Sequence, residues 1–131
     1  MNIWKIGTRW SDNGSTDSSI IDIFRKYNIV FAGREQDTIK SSVKPGDLIA
    51  ISDGIKIVSI GKVLDEPKSI TEFRLEAIDI NSDRFNYEDW VIGFKVSLFD
   101  LKKEDCFDYR RGTFHGVNGE YKDKIQDLFD K

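Results

Sequence analysis

The chain opens on an alternating stretch, "NIWKIG", in which Trp4 and Ile6 fall on one face and Ile3 and Lys5 on the other. That period of two predicts a first strand. "TRWSDNGSTDSS" follows and is dense in Ser, Asp, Asn and Gly, the composition of a loop. At its end Asp17, Ser18 or Ser19 is suited to cap a helix by accepting from the free N–H groups of its first turn. Ile20, Ile23, Phe24 and Tyr27 then recur at helical spacing, and Asn28 is placed to end the helix. "IVFAG" reads as a short buried strand. "REQDTIKSSV" is polar, with room for a helical turn.

Pro45 and Gly46 mark a turn. "LIAISDGIKIVSIGKV" then predicts a hairpin, with strands over residues 48–52 and 55–64 joined through Asp53-Gly54, a favoured type I′ pair. Strands this apolar need cover on at least one face. Gly61 inside the second strand predicts a bulge or a close backbone approach, and a bulge bends a sheet toward a barrel. Residues 65–88 are mixed and charged and carry no firm assignment; within them "ITEFRLEAIDI" fits a strand or a short helix. "WVIGFKVSLFDL" is a strand, "CFDYRRGTFHGVNG" a loop with a short strand at "TFHGV". From Glu120, Tyr121, Ile125, Leu128 and Phe129 share one side of a final helix. Strands in the middle and one helix near each end predict an α+β fold. Its sheet is small, curved and mostly antiparallel, or an open barrel.

At 131 residues the chain suits one domain over residues 1–131. A net charge of −3 argues against a surface that grips duplex nucleic acid by its backbone alone. The single cysteine, Cys106, cannot form an internal disulfide, which fits a reducing compartment. The first ten residues carry no apolar run of signal-peptide length, and no stretch approaches a membrane span. The expectation is a cytoplasmic protein with no membrane partner.

No phosphate-binding loop, dinucleotide fingerprint or nucleophile elbow is present. Cys106 and His115 are too few for a zinc site, and nothing supplies the third, orienting group of a thiol catalyst. The expectation is a non-enzyme without metal or cofactor. Two loops carry more promise. "GTRWSDNGS" places Trp10 between Arg9 and Ser11, with Thr8 beside them, so Trp10 either covers the core or walls a pocket whose polar edge these residues supply. "YRRGTFHGVNG" interleaves Arg110 and Arg111 with Tyr109, Phe114 and His115, a mix suited to phosphate contact and base stacking. The plainer reading pairs the arginines with Asp105 and Asp108.

The order "IWKIG", Trp-bearing loop, helix, "PGDLIAISDG", "IVSIGKVLDEP" and "WVIGFKVSLFDL" resembles the EVE branch of the PUA-like superfamily, which also includes YTH and ASCH domains. The resemblance covers most of the chain apart from residues 65–88. It implies a curved, mostly antiparallel β-barrel with flanking helices, in which the hairpin supplies two central strands and Gly61 marks the bend. It also implies a pocket for a base, often a modified one, with Thr8, Arg9, Trp10 and Ser11 on one wall and Ser52 and Asp53 on the other. Trp90 joins this ligand-binding set, although a Trp leading a strand also fits a core position. Arg110 and Arg111 would hold the flanking phosphate.

The function expected is a non-catalytic module that recognises a nucleotide base in DNA or RNA, alone or beside a partner protein that supplies catalysis. The alternatives are a regulatory sensor of a free nucleotide-like ligand and an ASCH-type hydrolase, for which Asp53 is the best-placed acid or base.

Overall fold

A computed structural model describes residues 2–7, 21–32, 42–53, 55–69, 72–73, 92–109 and 114–130. Among them are strands β1 (Ile3–Gly7), β2 (Ile29–Ala32), β3 (Leu48–Asp53), β4 (Lys56–Val63), β5 (Lys68–Ser69), β6 (Ile92–Asp100), β7 (Phe107–Asp108) and β8 (Phe114–Gly116), and helices α1 (Ile21–Tyr27) and α2 (Glu120–Asp130). The capping residues 17–19 and the stretch 74–91 lie outside the described residues.

The strands form one mixed sheet, in the order β2-β6-β4-β3-β1-β8, with β5 paired to β6 and β7 to β4. Among the described residues, the sheet curls into a half-barrel accompanied by two helices, and its pairings are antiparallel except for β1 and β3. Thus the α+β class and the curved sheet follow the expectation. The parallel pair was not foreseen.

Both faces of the central hairpin are covered. Ile49 and Ile51 enter one core with Ile6, Ile23, Phe24, Val30, Phe94 and Val96. Leu48, Ala50, Ile57 and Ile60 enter a second core with Ile3, Phe107, Tyr109, Val117 and Ile125. This explains the near-continuous apolar run of β3, since a strand buried on both faces has no polar side to alternate with. Helix α1 serves the first core through Ile21, Ile23 and Phe24 and ends at Asn28, whose φ of 54° takes the left-handed conformation that stops helices. Arg25 donates to Asp100 at 3.0 Å, and the buried Ser59 hydroxyl donates to the same carboxylate, which ties α1 to the middle of β4 and the end of β6. Helix α2 serves the second core through Ile125, with Leu128 and Phe129 packed on its margin.

Gly61 is not the bulge. It stays in regular register, opposite Ile49 on one side and Leu98 on the other. Its role is close approach: a Cβ there would stand 3.2 Å from Val96 Cβ. The irregularity falls between Ile51 and Ser52, which face Ser59 and Ile57, so β4 carries the extra residue, Val58. That extra residue moves the turn. Asp53 pairs with Lys56, leaving positions 54 and 55 as the connection rather than 53 and 54. Gly54 itself lies outside the described residues.

Candidate functional site

Two parallel strands leave a sheet at the same edge. β1 and β3 run parallel from Ile3 opposite Leu48 to Gly7 opposite Ser52. The segment beginning at Thr8 and the turn beginning after Asp53 therefore start from neighbouring points on one rim. The buried Ser52 hydroxyl fastens this exit, donating to the Ile6 carbonyl at 3.4 Å.

The third predicted segment starts from the same rim. β7 pairs with the first residues of β4, Lys56 opposite Asp108 and Ile57 opposite Phe107. Tyr109 N–H then donates to Ile55 O at 2.7 Å. β8 returns against β1, with Phe114 opposite Ile6. Tyr109 and Phe114, the described residues that flank Arg110 and Arg111 in sequence, thus lie near the ends of β3 and β1. Tyr109 is buried, its ring edge-on to Tyr121 of α2 at 4.7 Å, so this margin is braced by packing.

Thr8, Arg9, Trp10, Ser11, Trp90, Arg110 and Arg111 lie outside the described residues. Trp90 is two positions before Ile92, and β6 begins at the end remote from the rim: Val96 faces Val63, whereas Asp100 faces Ser59 nearer the start of β4.

Ser52 and Asp53 are both described, and they differ. Successive strand residues point to opposite faces. Ser52 is fully buried on the face of Ala50 and Leu48, whereas Asp53 is half-buried at the strand end. Asp53 is thus the member of the pair presented toward solvent. The rim also carries an apolar side chain: Ile55, at the tip of the hairpin, is 44% exposed.

Lys5 was read only as a strand residue. It pairs with Ala50 on one side and His115 on the other and is 4% exposed. Burial pulls its ammonium below the usual lysine range, because desolvation disfavours the charged form.

Asp47 is the residue that the sequence reading passed over as part of a turn. It is 4% exposed and is wrapped by donors: Asn2 N–H on Oδ1, and Trp4 Nε1–H and Lys44 N–H on Oδ2, each at 3.0 Å. The surrounding backbone closes the same knot, with Gly46 N–H donating to Val63 O and Val63 N–H to Asp47 O, both at 2.8 Å. The signal available was Pro-Gly-Asp immediately before an apolar strand, together with a strand Trp whose N–H needs an acceptor. The knot lies at the opposite end of β1 and β3 from the rim, so it sets the register that aligns Gly7 with Ser52.

Among the described residues no group of three His, Cys, Asp or Glu is placed to hold a metal ion. Cys106 is half-buried and donates to Lys102 O at 3.5 Å. No described helix is long and apolar enough to cross a membrane. No protein-family model and no curated protein matches this sequence.

Proposed function

We propose that this chain is a non-catalytic binding module of PUA-like kind that takes a nucleotide base, modified bases included, from DNA or RNA at the rim where β1 and β3 exit together. The observation that carries the reading is the parallel register ending at Gly7 opposite Ser52. It brings the origins of the segments singled out from sequence to one edge, although 45 positions separate the two strands. Trp10 then stacks on the base, Asp53 accepts from its amino or imino edge, and Arg110 and Arg111 neutralise the flanking phosphate. Extruding a base costs a few kcal/mol, which stacking and edge hydrogen bonds offset.

The test is a binding screen of the whole chain against single-stranded and duplex oligonucleotides bearing different modified bases, with the free nucleotides as controls. The reading expects selectivity for one base that Asp53→Asn changes more than it changes overall affinity. A free nucleotide that binds as tightly as its oligonucleotide would replace this reading with the sensor. Absence of selectivity among bases in every context would overturn it.

A further inference from the structure

Away from the rim, the face of β4 and β6 that carries Ile60 into the second core runs out past the margin of α2 and becomes exposed. Inward positions of β6 are Phe94, Val96 and Leu98, all packed into or against the first core. The alternate positions Lys95, Ser97 and Phe99 are exposed. On β4 the corresponding exposed position is Lys62, opposite Ser97, and the chain continues into Leu64, whose N–H donates to Lys95 O at 2.8 Å. Lys62 and Lys95 are therefore diagonal neighbours on one face, with the Ser97 hydroxyl beside them. Leu64 is 56% exposed and Phe99 37% exposed. Phe99 is steadied by Phe129 of α2, ring centroids 5.9 Å apart, so one of its faces is braced while part of the ring meets solvent.

Neither Lys62 nor Lys95 forms a direct ion pair among the described residues; Lys95 acts on Asp65 only at longer range, and Asp65 is bonded by Lys68 at 3.2 Å. Mounting on adjacent strands fixes the spacing of the lysines, so ordering them on a ligand costs less than ordering lysines on a loop. Fixed cations beside a hydroxyl and an open aromatic ring match a strand that offers phosphates and unstacked bases. A duplex hides its base faces and would need more cations than this acidic chain gathers here.

We propose that Lys62, Leu64, Lys95, Ser97 and Phe99 form a platform for single-stranded nucleic acid, with the lysines on phosphates and Phe99 under a base. The proposal rests on the nucleic-acid reading of the rim and adds a second, sequence-tolerant contact to it. The platform supplies affinity, whereas the rim supplies base selectivity.

The experiment measures binding of the whole chain to mixed-sequence single-stranded oligonucleotides over a salt series. The variants are Lys62→Ala/Lys95→Ala, Phe99→Ala and, as a control, Lys102→Ala/Lys103→Ala at two exposed lysines elsewhere. Each single-strand phosphate contact contributes about 0.7 to the slope of log K against log salt, so the platform pair should flatten it by about 1.4. Phe99→Ala should weaken binding roughly tenfold with the slope retained. Binding of a free nucleotide and the preference among bases should not change in either variant, which separates this surface from the rim. An unchanged slope in the platform pair, or an equal loss in the control pair, overturns the proposal. So does a parent chain that binds poly-glutamate as tightly as the oligonucleotide, or that binds no single strand. Thermal melting of each variant, Phe99→Ala above all, confirms folding. If Phe99→Ala unfolds, the lysine pair alone decides.

Discussion

Asp47 Oδ2 accepts the Trp4 indole N–H at 3.0 Å, joining the residue before β3 to the second residue of β1. Trp4 would otherwise bring an indole donor to the margin of the first core, and Asp47 would be a nearly buried carboxylate. Each satisfies the other, and the Asn2 and Lys44 amides complete the shell. Asp47→Ala leaves three donors without their acceptor. It should cost about 1–3 kcal/mol in urea unfolding, the range for a buried group left unsatisfied, because Trp4 is half-buried and water reaches the exposed Asn2 and Lys44. Trp4→Phe removes only one donor and should cost less than Asp47→Ala. A loss below about 1 kcal/mol in Asp47→Ala would show that water replaces the carboxylate.

Gly61 and Val96 should behave as a coupled pair. Gly61→Ala places a Cβ 3.2 Å from Val96 Cβ, and overpacking of this kind costs about 1–3 kcal/mol. Val96→Ala alone costs through its cavity. The double variant should be more stable than the sum of the two losses predicts, by about 0.5 kcal/mol or more in a double-mutant cycle. Strict additivity would mean that the strands part without resistance at this point.

Lys5 gives a pH dependence with a defined sign. Its folded-state pKa lies below its unfolded value, so between the two the unfolded chain binds more protons and stability rises with pH. The desolvation cost is fully in place below the folded pKa and vanishes above the ordinary lysine range. Lys5→Met should therefore raise the melting temperature at pH 7, and its advantage over the parent should shrink toward pH 10.5. A parent that is more stable than Lys5→Met at pH 7 would show that the contacts of the ammonium outweigh its desolvation.

Trp10→Ala should weaken binding of the preferred base by one to two orders of magnitude, because base–aromatic stacking is worth about 1–3 kcal/mol. Arg111→Ala should instead weaken all oligonucleotides alike and reduce the salt slope. A Trp10→Ala chain that melts several degrees lower yet keeps full affinity would assign Trp10 to the core.

Cys106→Ser should bind as the parent does. The thiol makes one weak bond to the Lys102 carbonyl, which a hydroxyl also makes. Complete loss of binding in a folded Cys106→Ser chain would return the thiol to the site.

The local pattern of the sequence decided where the elements are. β1, α1, the two hairpin strands, β6 and α2 appear close to where their period places them, with the hairpin turn displaced by one position, because alternation and helical spacing act over a few residues. It also decided that β3 needs heavy cover, since "LIAIS" has no polar face to give to water. Only the tertiary structure decided what meets across long separations. The Val58 bulge depends on how β4 accommodates β3, and Gly61, which looked like the bend, answers instead to Val96 on another strand. Asp47 reads locally as a turn residue because its partners, Asn2 and Trp4, lie more than 40 positions away. The parallel pairing of β1 with β3 has no local signature either. Parallel and antiparallel strands alternate alike, and the choice between them is made by the two cores and the Asp47 knot, which hold the ends of both strands together.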